Sequence, residues 1–409
     1  MLILSFLYHA LTLALIPYFG LMAMVAAAAL TQRFRRVNPV VTATESLKRF
    51  IVVIPAHDEE ADIAATVASC RSLEYNPRAV RVVVIADNCT DATAKAARDA
   101  GAEVLERVDH KRRSKGFALE YFFEHLASTG QGGSFDAVVV IDADTVVAPD
   151  LLTRFSEALD NGADWIQSYY SVSNPDRSWR TRLLTYAFSL FNGVWLLGQD
   201  RLGLSVGFRG NGMCFSAKGL ARVPWKAYGL VEDQEFSWML RVAGERVRFL
   251  ADTGVFGEMV SRGKAAVSQR SRWENGRNAL VRRFFRPIVT SRNLSVVEKT
   301  LAVLDLTFPP MMRLATLLLL AVTVHPLASA LPSLERLSVR LFPFHAAMAL
   351  TFAAYALSPF LSIGLPWRYM KSLSAVPYYL VWKFFATFRA RTGSWVRTQR
   401  ESVTNRGSI

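Results

Sequence analysis

Asp142 and Asp144 are separated only by Ala143 and follow the apolar run 135–141. Two carboxylates spaced by one small residue can hold a divalent cation against a diphosphate. Mg2+ and Mn2+ prefer oxygen ligands and commonly share them with phosphate. The run itself, Phe135-Asp136-Ala137-Val138-Val139-Val140-Ile141, is dense in β-branched residues and lacks a helical period, so it reads as a buried strand. A strand of that kind delivers its last residues to the carboxyl edge of a parallel sheet, where ligands bind. Alone, the pair is better explained as a solvated loop after a strand, and its weight comes from what accompanies it.

Two other strand ends carry polar clusters. Residues 50–54 read as a strand stopped by Pro55 and followed by Ala56-His57-Asp58-Glu59-Glu60. Residues 80–85 read as a second, ending in Ala86-Asp87-Asn88-Cys89-Thr90-Asp91. Helices are expected over 59–72, over 92–100 with Gly101 as its stop, and over 116–126, with a short strand at 102–106. This alternation predicts an α/β fold with a mainly parallel, Rossmann-like sheet and helices on both faces. All three polar clusters then share one sheet edge and point to a nucleotide site. Neither a P-loop nor a Gly-x-Gly-x-x-Gly fingerprint follows the first strand, so phosphate binding would rely on a metal and side chains.

The second half adds three motifs. Phe208-Arg209-Gly210-Asn211-Gly212-Met213-Cys214 has glycines that allow close backbone approach to a ligand, or simply a tight turn. Val231-Glu232-Asp233 precedes a helical run at 234–242, where Asp233 is either a reactive carboxylate or a helix cap. Gln269-Arg270-Ser271-Arg272-Trp273 joins cations to a large aromatic ring. An arginine there can neutralise a leaving diphosphate and the tryptophan can stack on a sugar, although a basic interfacial helix fits the same residues.

The elements that must carry these groups lie partly in a membrane. The chain of 409 residues is 51% hydrophobic with mean hydropathy +0.20, too apolar for an ordinary soluble enzyme. Residues 2–30 are almost wholly apolar and long enough to cross a bilayer. Arg33, Arg35 and Arg36 come after this stretch rather than before it, which predicts an outside-to-inside helix and not a signal peptide. Two further spans are expected at 314–330, with an irregular start around 301–313, and at 344–363. The stretch 376–388 carries Lys383 and reads as an interfacial helix, keeping the Arg-rich tail inside. The apolar stretch 183–198 is short, contains Asn192, and reads as a domain helix that touches the membrane. The expected segments are thus a membrane helix at 1–32, a basic linker at 33–47, a cytoplasmic catalytic domain at 48–290, two membrane helices within 291–372, and an interfacial helix with a basic tail at 373–409.

Lys and Arg number 48 against 34 Asp and Glu, a formal net charge of +14. The excess gathers beside apolar segments, which favours a membrane surface over nucleic acid. Cys70, Cys89 and Cys214 show neither zinc spacing nor a disulfide framework, as expected on a reducing cytoplasmic side.

Taken in order, Pro55-Ala56-His57-Asp58-Glu59-Glu60, Asp87, Lys115-Gly116, Asp142-x-Asp144, Glu232-Asp233 and Gln269-x-x-Arg272-Trp273 resemble glycosyltransferase family 2. The subgroup is the membrane-embedded one that includes cellulose synthase, hyaluronan synthase and ceramide glucosyltransferase. The resemblance covers residues 48–286 and implies a GT-A fold and inverting transfer from a UDP-sugar. It would place His57, Glu59, Asp87 and Lys115 around the nucleotide, with Asp142 touching it and Asp144 on Mg2+ or Mn2+. Asp233 would be the base for the acceptor hydroxyl. Glu232, Asn211, Gln269, Arg272 and Trp273 would serve the diphosphate and the acceptor.

Two departures blur the donor: Ala86 precedes Asp87 where the family often has a second aspartate, and Val231 stands where it often has threonine. The expected acceptor is a growing surface polysaccharide, with partner subunits for export. The alternatives are a single transfer to a ceramide-like or hopanoid-like membrane lipid, and an inactive membrane scaffold of the same fold.

Overall fold

The computed structural model describes residues 2–31, 47–130, 133–259, 263–329 and 335–375. Strands β1 (Phe50–Ala56), β2 (Val80–Asp87), β3 (Glu103–Arg107), β4 (Ala137–Val140), β5 (Thr145–Val147), β6 (Trp165–Val172), β7 (Met213–Ser216) and β8 (Val247–Gly257) form one sheet. Their order is β3-β2-β1-β4-β7-β6-β8-β5. The first half is parallel, as the alternation predicts: β1 pairs with β2 and β4, and β2 with β3. Beyond Asp144 the sheet is mixed. β7 runs antiparallel to β4 and β6, and β5 antiparallel to β8, while β6 and β8 are parallel.

Pro55 does not stop β1, which continues to Ala56. The β4 ladder has already ended at Val53↔Val140, so that side asks no N–H of Pro55. The central strands are apolar without alternation because both faces are covered. One face sets Val52, Ile54, Val84, Val139 and Ile141 against Ile63 and Val67 of α2 (Ile63–Arg71) and Phe155 of α5 (Leu151–Asp160). The other sets Ile51, Val53, Ile85, Val138 and Val140 against Leu119 and Phe122 of α4 (Lys115–Ser128). Adjacent strand residues go to opposite cores, as a period of two requires. Helix α3 (Thr93–Asp99) fills the β2–β3 connection.

The second core continues without a break into the apolar helices. It includes Met22, Val25 and Ala26 of α1 (Leu2–Leu30), together with Leu314 and Tyr355. The expected domain helix at 183–198 becomes α6 (Trp179–Phe188), a π-helical turn at Ser189–Val194 and α7 (Trp195–Arg201). Gly198 of α7 lies so close to α1 that a Cβ there would stand 2.2 Å from the Val25 carbonyl. Only glycine lets two helix backbones meet at that separation. Further along the chain come α8 (Ala217–Arg222), α9 (Glu232–Ala243) and α10 (Gly263–Thr290).

Among the described residues, two helices are long and apolar enough to cross a membrane, Tyr8–Leu30 in α1 and Arg340–Ser362 in α13 (Glu335–Ser362). A third span exists if α11 (Val296–Thr307) and α12 (Met311–Ser329) are taken together, although they bend by 89° where Pro309 and Pro310 interrupt them. That bend is the irregular start expected before 314. Inside the apolar bundle, Thr12 Oγ1 lies 3.0 Å from His345 Nε2, and the Tyr8 hydroxyl donates to Ala321 O at 3.1 Å. Polar groups so far from water need internal partners, and here they tie α1, α12 and α13 together. The stretch 376–388 and the basic tail lie outside the described residues.

Candidate active site

At the carboxyl end of β2, Asp87 is buried and ion-paired to Arg107, the last residue of β3, at 2.6 Å. Asn88 Nδ2 donates to the same carboxylate at 2.9 Å, and Asn88 Oδ1 accepts from the Asp109 N–H at 2.8 Å. Burial pushes the Asp87 carboxyl up, and the Arg107 guanidinium pulls it back. His57 Nδ1 sits 2.7 Å from the Asp87 backbone carbonyl, and the Glu59 N–H donates to Thr93 Oγ1 at 2.7 Å. Asp58 and Asn88 adopt φ of 54° and 52°, left-handed conformations rare outside glycine. The loops after β1 and β2 are thus bent sharply against one another and pinned by side chains. Thr90 N–H, for instance, reaches Asp58 Oδ1 at 2.6 Å.

The neighbouring strand end holds the pair singled out first. Lys115, at the start of α4, bonds through Nζ to Asp142 and to the Gly210 carbonyl. Ser114 caps this helix by accepting from Phe117 N–H. Gly116 permits the approach of the chain at Ala227, whose carbonyl would lie 2.1 Å from an added Cβ. Asp144 lies in the turn between β4 and β5, half-buried, and its carbonyl accepts from Glu258 N–H at 3.3 Å. Asn211 is wholly buried behind the pair. Its Oδ1 accepts from Asp142 N–H at 3.1 Å, and its Nδ2 donates to Thr145 Oγ1 at 2.8 Å. Gln167 closes the next layer, donating to Asn211 O and accepting from Arg209 N–H, both at 2.8 Å. The glycine-rich segment therefore braces the carboxylate turn and at the same time presents backbone to the cleft.

Helix α9 brings the remaining acids. Val231 occupies its cap position and makes no side-chain capping bond, so Asp233 is not the cap that its place in the sequence permits. Glu232 and Asp233 lie in the first turn, where the helix dipole favours negative charge. The Asp233 carboxylate stands beside Gly210, whose Cβ would lie 3.5 Å from its Oδ2. Ser237 Oγ donates to Asp233 O and accepts from Phe208 N–H, both at 2.7 Å, which registers α9 against the glycine-rich segment. Desolvation and the Asp233 charge push Glu232 up to about 7, against the pull of Lys115. Burial likewise raises Asp233, while the charges of Lys115 and Arg209 oppose the rise.

One cleft thus gathers Lys115, Asp142, Asn211, Glu232 and Asp233, with Asp144 at the neighbouring turn and His57, Glu59 and Asp87 along the adjoining edge. Gln269, Arg272 and Trp273 fall on α10, but their side chains lie outside the described residues. Among the described residues, Asp142, Asp144, Glu232 and Asp233 offer carboxylate oxygens, a donor type suited to Mg2+ or Mn2+. Asp142 faces the Lys115 ammonium. Arg107 and Gln167 carry no motif signal, and Arg209 appears only as part of the glycine-rich segment. Arg107 in particular is isolated in sequence and becomes meaningful only because β3 lies beside β2.

Residues 48–276 match the family model described as Glycosyltransferase like family 2. The chain is 24% identical over 261 residues to the probable glucomannan 4-beta-mannosyltransferase 1 of Arabidopsis thaliana, covering 61% of this chain and 46% of that protein. It is 22% identical over 251 residues to the probable glycosyltransferase YdaM of Bacillus subtilis (strain 168), covering 59% and 58%. The chain spans about half the length of the curated relatives it matches. Among solved structures, the mannosyltransferase PcManGT from Pyrobaculum calidifontis in complex with GDP-Man and Mn2+ has a TM-score of 0.53 and 18% identity. That likeness covers 86% of this chain and 97% of that one, and it shows a shared GT-A-like fold.

The Asp87–Arg107 pair gives a direct test of how this edge is built. Arg107→Leu leaves a buried carboxylate uncompensated and is expected to cost about 3–5 kcal/mol of stability. The double variant Asp87→Leu/Arg107→Leu should recover much of that loss in denaturant titration. A single variant as stable as the parent would show that the pair does not organise the strand ends.

Proposed function

The chain belongs to the glycosyltransferase-like family 2, and from that premise we propose that it moves a hexosyl group, with inversion, from a nucleoside diphosphate-sugar to an acceptor at a membrane surface. The observation that carries the reading is the convergence of Lys115, Asp142 and the first turn of α9 on one cleft at the sheet edge. The acceptor hydroxyl oxygen attacks the anomeric carbon as the bond to the diphosphate oxygen breaks. Asp233 takes the hydroxyl proton, and its raised proton affinity suits that task. Lys115 holds Asp142 and offsets the crowded negative charge, while Asn211 fixes the turn that bears the pair. His57, Glu59 and Asp87 line the nucleotide side, and Glu232, Gln269, Arg272 and Trp273 serve the diphosphate and the acceptor. A divalent cation held by Asp144, when bound, would neutralise charge on the leaving diphosphate.

The family resemblance favours a UDP-sugar. PcManGT is described with GDP-Man and Mn2+, so GDP-mannose belongs in the same donor panel. A growing surface polysaccharide is the first acceptor class. A membrane lipid is the second, favoured by the two helices, or three with the bent pair, that suffice to cross a membrane among the described residues. The protein is read as a multi-pass membrane enzyme with its catalytic domain and tail in the cytoplasm.

Asp144→Asn should abolish metal-stimulated release of nucleoside diphosphate across the donor panel, while the protein still inserts in membranes. Full wild-type activity in excess chelator would refute the metal role.

Asp233→Asn should lower transfer by about 10²–10⁴-fold, the contribution of a positioned base. Nucleotide affinity, measured by calorimetry, should change little. A loss of affinity as large as the loss of rate would move Asp233 to the donor site.

Topology is tested in a background lacking Cys70, Cys89 and Cys214. An impermeant thiol reagent should label single cysteines at 332–342 from outside, and those at 395–405 only after permeabilisation. Labelling of the tail in intact cells would reverse its assignment.

A further inference from the structure

Helix α9 starts with no help from its cap residue, since Val231 makes no side-chain capping bond. Glu235, in the second turn, reaches back over the helix start instead. Its Oε2 accepts from Gly229 N–H at 2.7 Å and from Tyr228 N–H at 3.2 Å, and its Oε1 bonds Arg283 of α10. The Glu235 side chain is only 3% exposed. A carboxylate withdrawn from water in this way persists because donors satisfy it, here two backbone N–H groups and a guanidinium. Loss of the carboxylate would release the chain at 228–229 from α9.

The other side of that chain segment leans on α4. Trp225 Nε1–H donates to Gly116 O at 3.0 Å, and the Ala227 carbonyl packs where Gly116 lacks a Cβ. The Tyr228 ring stacks on Phe117, with 4.7 Å between centres and 12° between planes, and its hydroxyl bonds the Glu120 carboxylate. Residues 225–229 therefore bridge two helices. One end is fixed beside Lys115, and the other is fixed by Glu235, which follows Glu232 and Asp233 within the same helix. The Lys115 ammonium acts on both of those acids across the cleft, so their separation governs the charge that each one carries.

We propose that Glu235 is a positioning residue for transfer: it clasps segment 225–229 to α9 and so sets the distance between Lys115 on α4 and the turn that bears Glu232 and Asp233. This rests on the proposed function and adds to it a residue that acts through Asp233. Arg283 closes the clasp from α10.

The test compares the parent with Glu235→Ala, Glu235→Gln and Tyr228→Phe, each as the full chain in phosphatidylcholine nanodiscs. Donor turnover, nucleoside diphosphate binding and amide hydrogen exchange are measured on all four. Glu235→Ala should lower kcat by about 10–100-fold, as a misplacement near 1 Å does. Nucleoside diphosphate affinity and stoichiometry should stay at the parent level, which shows a full complement of folded sites. Amides at 227–235 should exchange faster in Glu235→Ala, while those of β1 and β2 keep the parent rates. Glu235→Gln retains an oxygen for the two N–H groups and should regain much of the rate. Tyr228→Phe cuts the tie to Glu120 but keeps the ring stacked. It should lower kcat in the same direction, and joined to Glu235→Ala it should add little, as two breaks in one link do.

Parent kcat in both Glu235→Ala and Tyr228→Phe would overturn the inference. So would a fall in kcat matched by a fall in nucleotide stoichiometry, which reports lost protein and not a misplaced base. Weakened nucleotide affinity would overturn it in favour of a donor-site role. If Glu235→Ala does not fold, Tyr228→Phe decides by the same measures. If the parent turns over no donor, the proposed function fails, and exchange at 227–235 alone decides whether the clasp exists. Parent turnover with unchanged exchange in Glu235→Ala overturns the clasp alone.

Discussion

Lys115 stands where the acidic side chains of the cleft converge. Its ammonium bonds Asp142 and a backbone carbonyl and acts on both Glu232 and Asp233. Two like charges about 4 Å apart repel by roughly 4 kcal/mol at an effective dielectric near 20. Without a cation among them, the carboxylates would spread apart or take up protons. The position of that cation is itself prepared by the Ser114 cap that starts α4 and by the missing Cβ of Gly116.

Behind the charged rim lies a layer of neutral polar groups whose hydrogen-bonding capacity is largely satisfied internally. Asn211, Gln167, Thr145 and Thr66 are buried and connect the carboxylate turn to β6 and α2. Buried polar networks of this kind are stable only when complete, and a complete one permits few alternative arrangements. The Asp142 backbone and the glycine-rich segment are therefore fixed relative to one another before any ligand arrives. On the other flank, Arg107 and Asn88 do the same for the loop after β2.

Catalytic sheet and apolar helices share one core. Residues of β1, β2 and β4 and residues of α1, α12 and α13 belong to a single hydrophobic cluster. Gly198 lets α7 seat on α1, and Tyr355 and Tyr186 hydroxyls bond carbonyls across the junction, at Leu190 O and Ala356 O. Arg241 of α9 meets Asp305 of α11, so the helix that carries Asp233 is tied to the membrane-side helices by an ion pair as well. The cleft is held at a set distance from the apolar surface by packing, where a flexible linker would have let it drift.

The sequence determined the strands through local composition: β-branched runs at 50–54, 80–85 and 135–141 contain strands, the last only at Ala137–Val140, because each is apolar enough to be buried on both faces. It also determined that His57, Asp87 and Asp142 share an edge, since parallel strands all end on the same side. The apolar helices were legible by length alone, and so was the irregularity at Pro309 and Pro310. Tertiary structure alone decided the second half of the sheet, where three-residue β5 and four-residue β7 are too short to show a period and owe their place to neighbours distant in sequence. Partnerships followed the same rule. Arg107 lies 20 residues from Asp87, Asn211 lies 69 from Asp142, and Arg241 lies 64 from Asp305. Such pairs are selected by burial and charge in the folded chain, and no local pattern encodes a contact made across that distance.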